Sequence, residues 1–344
     1  MDRQAAIVIV TCNSARFLAA CLESALARST DVVVVDNASV DDTLAVARRY
    51  PAVKLVANSN NAGFAAAVNQ GIRSTVSGYI LLLNPDAVLQ SSIEPLIDAC
   101  TRPDVAAAAG KLTDSSGHPQ SGFTLRRFPT ASTLTFELLG FNRLWPGNPV
   151  NHRYRCHDID LGKPGFADQP AGAFLLFRRS LWLELDGFDE QFHPLWFEDV
   201  DFLLRASQKG HKIWFNPEVV ALHYGGHSVE ALHPATRRAY WYDSLLKYAA
   251  KHFRPAGVRV VAAAVLAGWA ARRFVDLLLR LTGSDAGRSL GSGDQYVKVL
   301  RLAGSCLCSG AARKPPVLAR AFLDGEEVEE ARKAKLRNSH SHGL

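Results

Sequence analysis

Four times in the first hundred residues a short run of aliphatic and β-branched residues gives way to a helical pattern: "AAIVIV" before a helix near 15–27, "DVVVVD" before one near 41–49, "AVKLVA" before one near 62–74, and "GYILLLN" before one near 91–100. A strand with continuous rather than alternating hydrophobicity is buried on both faces, and an intervening helix supplies the crossover that parallel pairing needs. The repeating unit therefore points to an α/β fold with a mostly parallel sheet and helices on both faces. Ser39 and Asp42 form an S-x-x-D start signal ahead of the second helix. At 344 residues with 48% hydrophobic content, the chain has ample material for the core.

In such sheets ligands bind beyond the carboxyl ends of the strands. The residues there are Thr11-Cys12-Asn13, Asp36-Asn37, Asn58 to Asn61, and Asn84-Pro85-Asp86, a row of polar groups where a ligand would lie. A carboxylate such as Asp36 can accept hydrogen bonds from a base or ribose, although a strand-end Asp is also a common turn residue. "NPD" places two oxygen-bearing side chains one residue apart, as a hard cation such as Mg²⁺ or Mn²⁺ and a nucleotide diphosphate would require. No G-x-G-x-x-G follows the first strand and no G-x-x-x-x-G-K-[ST] occurs, so a Rossmann dehydrogenase or P-loop NTPase lacks its phosphate cradle. A receiver-type phosphoacceptor built on Asp36 lacks its accompanying acidic pair.

From 113 to 168 the pattern dissolves into Gly, Pro, Arg and aromatic residues, a composition of long loops. "AGAFLLFRR" (171–179) restores a strand, "HKIWFN" and "EVVALHY" read as two more, and 235–252 as a helix. Between them, "WFEDVDFLLRASQKG" begins a helix with Glu198, Asp199 and Asp201 in or near its first turn, where the macrodipole and free N–H groups favour acids. His223 and His227 flank Gly225-Gly226, a pair that allows close backbone approach.

Taken in order, "IVIVTCN…VVVVDNAS…NNAGFAAAVNQG…LLLNPDA…AGAFLLFRR…GFDEQFHPLWFEDVDFLLRASQKGHKIWFNPEVVALHYGGHS" resembles the family 2 glycosyltransferases of GT-A fold, a Rossmann-like architecture, and most closely their bacterial rhamnosyltransferase-like branch. The resemblance covers roughly residues 5–230. It implies inverting, metal-dependent transfer of a single sugar from a nucleoside diphosphate donor, thymidine diphosphate rhamnose foremost, to a hydroxyl of a glycan or polyprenyl-diphosphate-linked saccharide. Asp36 then contacts the base, and Asp86 with His223 holds Mg²⁺ or Mn²⁺. Asn84 replaces the first acid of the family's D-x-D, so ligation rests on Asp86. Asp199 is the catalytic base with Glu198 in support, while Asp189, Asp201 and Glu218 are structural. Thr11, Asn13, Asn61, Gly63, Asn69, Asn84, Gly172 and Ala173 are expected beside the donor and Trp196 beside the acceptor. "RRAYW" (237–241) does not match the Q-x-x-R-W of processive synthases. The competing reading is a nucleotide-sugar-binding or scaffold protein of the same fold without catalysis.

The chain divides into an expected catalytic domain (1–232), C-terminal amphipathic helices (233–310) and a charged tail (311–344). Net charge is +6 with pI near 9.0, which admits anionic partners, and no nucleic acid is expected. Six cysteines at 12, 21, 100, 156, 306 and 308 show no C-x-x-C pair, which suits a reducing cytoplasm. Val260 to Ala271 is apolar but too short to span a bilayer, which takes about 20 residues. On a helix, Arg259, Arg272, Arg273, Asp276 and Arg280 fall on one side of segment 256–281, and between 251 and 301 there are nine Lys/Arg against three Asp/Glu. An interfacial helix at the cytoplasmic membrane surface and a helix docked on the protein's own core account for this equally well.

Overall fold

The computed structural model describes residues 4–225, 232–281 and 294–309. Its strands are β1 (Ala5–Thr11), β2 (Val32–Asn37), β3 (Val53–Asn58), β4 (Tyr79–Leu83), β5 (Ala87–Leu89), β6 (Val105–Thr113), β7 (Leu125–Arg126), β8 (Gly165–Ala167), β9 (Gln169–Pro170), β10 (Phe174–Arg178) and β11 (Lys212–His223). The helices are α1 (Ala15–Leu26), α2 (Thr43–Ala47), α3 (Phe64–Arg73), α4 (Glu94–Thr101), α5 (Ala131–Leu138), α6 (Phe141–Leu144), α7 (Pro149–Tyr154), α8 (Arg179–Glu184), α9 (Glu198–Gln208), α10 (Pro234–His252), α11 (Pro255–Leu281) and α12 (Asp294–Ser309).

Among the described residues, nine strands form one mixed sheet in the order β3-β2-β1-β4-β10-β6-β11-β5, with β8 added on β11. The β3-β2-β1-β4 half is parallel, and β10 enters antiparallel between β4 and β6. The strand period of two divides the sheet's side chains between two cores. Ile7, Ile9, Val32, Val34 and Leu81 pack with α1 and α4, whereas Ala6, Val8, Val33, Val35 and Leu82 pack with α3, α8 and α9. That division explains why β1, β2 and β4 read as unbroken apolar runs.

Three details depart from the sequence expectations. The second helix is only 43–47, and no S-x-x-D cap forms: the Ser39 hydroxyl donates to Asp36 and the Thr43 N–H is taken by Asp41 Oδ1 at 3.0 Å. "HKIWFN" and "EVVALHY" are one strand, β11, continuing past a register shift between Asn216 and Val220. The 113–168 stretch is not all loop, for it holds α5, α6 and α7. The 311–344 tail, Gly226, His227 and Ser228 lie outside the described residues.

The C-terminal helices build a third core. Leu134 and Leu138 of α5, Phe192, Phe197 and Val200 cluster with Leu245, Tyr248 and Ala249 of α10, Val258, Val261 and Val265 of α11, and Val299 and Cys306 of α12. Segment 256–281 thus docks on the protein's own core along its first half, and its exposure changes after Gly268. Among the described residues, no helix is long and apolar enough to cross a membrane.

Candidate active site

The first strand ends converge through hydrogen bonds. The Thr11 hydroxyl donates to Asp36 Oδ1 at 2.8 Å, and Ser39 adds its N–H to Oδ2 at 3.0 Å. Asp36 is fully buried, so its carboxylate organises the turn after β2 from within. Asn13, in the left-handed region at φ 54°, is tied to the same turn: its N–H donates to Ser39 Oγ at 2.8 Å and its Oδ1 accepts from Val40 N–H at 2.9 Å. Beside this knot opens a pocket of about 150 Å³, lined by Asn13, Arg16, Phe17, Asp41, Pro85 and Asp86 among others. The structure therefore sets Asn13 and Asp86 on one cavity and adds Arg16, Phe17 and Asp41, which no local motif marked.

Asn61 and Gly63 belong to a turn docked on the loop before α9. Asn61 Oδ1 accepts the Gly63 N–H at 2.9 Å, Gly63 has φ +85°, and the Phe64 N–H donates to the Pro194 carbonyl at 2.7 Å. Asn69 is a correction. Its Oδ1 accepts from Trp182 Nε1 and Phe188 N–H, each at 2.9 Å, and its Nδ2 donates to the Phe188 carbonyl at 2.8 Å and Glu190 Oε1 at 3.1 Å. Buried and saturated, Asn69 staples α3 to the loop after α8 and offers nothing to a donor.

Asp86 and His223 meet where β5 pairs with the end of β11, His223 opposite Ala87. Asp86 Oδ1 lies 3.5 Å from His223 Nε2, near enough for the two side chains to share one small hard cation. Gln120 fixes the imidazole from behind: its Nε2 donates to the His223 carbonyl at 2.7 Å, so its Oε1, 3.0 Å from Nδ1, accepts the Nδ1 proton. With Nδ1 so engaged, Nε2 is the ring atom turned toward Asp86. Phe123 stacks on the imidazole at 5.1 Å, and Arg126 lies 5.8 Å above Phe123. No group of three metal-ligating side chains occurs among the described residues, so a cation at this pair would need further ligands from elsewhere.

The "AGA" segment joins this edge to the acid pair. Asn84 N–H donates to the Ala173 carbonyl at 3.0 Å, and Gly172 N–H donates to Asp199 Oδ2 at 2.9 Å. A Cβ on Gly172 would stand 2.9 Å from that Oδ2 and from Asp199 Cβ. Gly172→Ala should therefore displace the carboxylate and lower kcat about 10²-fold with donor affinity little changed, as steady-state kinetics with a donor titration would show.

Asp199 Oδ1 also accepts the Val200 N–H at 2.8 Å. Burial raises its carboxyl above the ordinary range, while the Gly172 and Val200 N–H groups and the Arg126 charge oppose the rise. Glu198 is pushed further. Burial comes first and the neighbouring Asp199 charge second in raising it well above the usual carboxylate range, and its Oε2 has no hydrogen-bond partner among the described residues. Such a group favours its neutral form, which leaves the charge of the pair on Asp199. Because the folded value is raised, Glu198 destabilises the native state progressively as pH climbs above the unfolded value of about 4.3. Glu198→Gln should raise Tm at neutral pH, with the gain vanishing near pH 4, in melts recorded across that range.

Asp201 and Asp189 are structural. Asp201 is wholly buried between Arg205 Nε, Lys251 Nζ and His252 Nε2, all at 2.7 Å; Lys251 also reaches Asp189 at 2.6 Å. Glu218 is exposed on β11, where its N–H donates to Asn216 Oδ1. Trp196 and Phe197 both lie in the left-handed region, at φ 75° and 70°, directly before the acids. Phe197 is core, its ring 5.2 Å from Tyr248, whereas Trp196 keeps part of its surface open.

A half-buried carboxylate aimed by backbone N–H groups, and linked through Gly172 and Ala173 to the strand edge that carries the Asp–His pair, suits deprotonation of a hydroxyl beside a departing diphosphate. Residues 6–181 match the family model described as Glycosyl transferase family 2. N-acetylglucosaminyl-diphospho-decaprenol L-rhamnosyltransferase of Mycobacterium tuberculosis is 31% identical over 233 residues, covering 62% of this chain and 72% of that protein. Rhamnosyltransferase WbbL of Escherichia coli strain K12 is 26% identical over 170 residues, 49% of this chain and 60% of that one. Among solved structures, the mannosyltransferase PcManGT from Pyrobaculum calidifontis, in complex with GDP-Man and Mn²⁺, aligns over 89% of this chain and 87% of its own with a TM-score of 0.49 and 17% identity. Sheet and sequence agree: this chain belongs to glycosyltransferase family 2, with the GT-A fold and a likeness to its rhamnosyltransferases.

Proposed function

We propose that the protein transfers one sugar with inversion, L-rhamnose from a thymidine diphosphate donor, to a hydroxyl of a polyprenyl-diphosphate-linked saccharide at the cytoplasmic face of the membrane. The observation that carries the reading is the link from Asn84 through Ala173 and Gly172 to Asp199, which spans the donor edge and the base within two residues. Support for the sugar and acceptor comes from the names of the relatives, both rhamnosyltransferases, one acting on an N-acetylglucosaminyl-diphospho-decaprenol.

In this reading Asp199 takes the proton of the acceptor hydroxyl on the face opposite the leaving diphosphate. Glu198, held neutral, leaves Asp199 charged and orients the acceptor, and Trp196 offers its open face to a sugar ring. Thr11, Asn13, Asp36, Asn61 and Gly63 shape the donor side, with Asp36 acting through Thr11 and Ser39. Asp86 and His223 would hold Mg²⁺ or Mn²⁺, which supplies positive charge to the departing diphosphate when bound. The first half of α11 anchors the catalytic core, and its far end faces lipid.

A panel of nucleoside diphosphate sugars, assayed with Mn²⁺ against lipid-linked acceptors by nucleoside diphosphate release, tests the whole. Turnover confined to the rhamnosyl donor, dependent on both cation and acceptor, is expected. Release with another sugar would replace the donor assignment, and cation-independent turnover would remove the metal from it.

A further inference from the structure

The second half of α11 does not behave like its first. Val258, Val261, Ala262, Ala264 and Val265 are buried, but from Ala270 through Val275, and at Leu277, every described side chain is exposed, apolar ones included. Phe274 is 61% exposed and Leu277 54%. A water-facing helix with that many bare apolar groups is a surface built to be covered.

A second apolar element lies at the same end. Helix α5 runs alongside α11 in the same direction, since Ala131 lies 3.5 Å from where a Cβ on Gly257 would sit and the Leu138 carbonyl oxygen 2.6 Å from where one on Gly268 would sit. The chain leaving α5 therefore emerges where α11 leaves the core. There it exposes Phe141, Leu144 at 82% and Trp145 at 61%. The charges fit one kind of partner. Arg143, Arg272 and Arg273 are exposed among these apolar groups. Glu137, at the end of α5, is engaged by Asn142 and Arg155, and Asp276 is the one acid between 270 and 277. Tryptophan, leucine and phenylalanine fringed by arginine is the chemistry of an interface with anionic lipid headgroups.

We propose that the 141–145 tip and the exposed end of α11 form one docking face for an anionic bilayer surface. This rests on the proposed lipid-linked acceptor and deepens it, because the face connects to the site. The tip leads into α7, whose Tyr154 ring lies 5.8 Å from the Arg126 guanidinium beside the base, and Arg272 is hydrogen-bonded to Tyr242 next to Trp241, which packs against Phe197. Docking through this face presents the acceptor side of the active site to membrane-embedded substrate.

The test is co-sedimentation of the full chain with vesicles of phosphatidylcholine alone and of phosphatidylcholine mixed with phosphatidylglycerol. Binding is expected to the mixed vesicles and to weaken with salt. Arg143→Gln and Arg273→Gln should each reduce it about fivefold, and the Leu144→Glu/Trp145→Glu double variant should abolish it, while all keep the wild-type melting temperature. Because partition is read without turnover, it stands or falls apart from the donor and acceptor assignment; transfer to a water-soluble acceptor lacking the polyprenyl chain should be the same in all variants. Equal binding by the variants, or wild-type binding indifferent to phosphatidylglycerol, overturns the proposal. So does a self-association of the protein, seen by ultracentrifugation without vesicles, that the double variant removes, since the face would then join two copies.

Discussion

Asp199→Asn should reduce sugar transfer by about 10²–10⁴-fold, the contribution of a positioned general base, while donor affinity stays within about twofold of wild type. The amide keeps the size of the carboxylate and can still accept the Gly172 N–H through its oxygen, so the 2.9 Å contact that sets the geometry survives. What disappears is the ability to take a proton. Burial has already raised the Asp199 carboxyl, which makes it a stronger base than an exposed aspartate while the Gly172 and Val200 N–H groups keep it ionisable. Initial rates of nucleoside diphosphate release together with donor binding by calorimetry separate the two effects. Retention of most of the turnover would move the base elsewhere, and a parallel loss of donor affinity would make Asp199 a binding group.

Asp201→Ala, two residues on, should act on the fold instead. It removes the anion that, among the described residues, Arg205, Lys251 and His252 share, and breaking a buried ion pair from one side costs about 3–5 kcal/mol because the partners are left uncompensated. Burial by itself would raise the Asp201 carboxyl, but the His252 hydrogen bond, the Arg205 charge and Lys251 bring it below the ordinary value. A depressed folded value contributes stability above the unfolded value of about 3.9 and loses it as pH falls through the folded one. The gap between wild type and variant in urea melts should therefore be full at pH 7 and close in acid below about pH 4. Because this cluster ties α9 to α10, the same melts report whether the C-terminal helices unfold with the catalytic core.

The sheet could be read from the sequence because burial on both faces leaves a continuous apolar run, as in "VVVVD", and no other element of that length is written so. The acids of α9 could be ranked only by resemblance, since Glu198, Asp199 and Asp201 share one helical turn and the same favourable dipole. Their separation is tertiary: Gly172 reaches Asp199 from β10's approach, and Lys251 with His252 reaches Asp201 from α10. The role of Asn69 is hidden for the same reason, because its partners Trp182, Phe188 and Glu190 lie more than a hundred residues away in the chain. Gln120, Phe123 and Arg126 were invisible within a stretch of loop-like composition, where no periodicity exists to mark a side chain that must face a histidine from β11. The one usable trace there was aromatic residues and arginines concentrated in a segment without strands or helices of ordinary length.

Two consecutive residues with side chains, Trp196 and Phe197, enter α9 in a backbone conformation that costs each about 1–3 kcal/mol. Phe197 is held there by the C-terminal core, through Tyr248 and Trp241. The turn that carries the acids of α9 is thus held in place from the side of the C-terminal helices, and shortening the chain from its C-terminus should relax that turn before it touches the sheet. Helices whose sequence suggests only an attachment are, mechanically, the clamp on the head of α9.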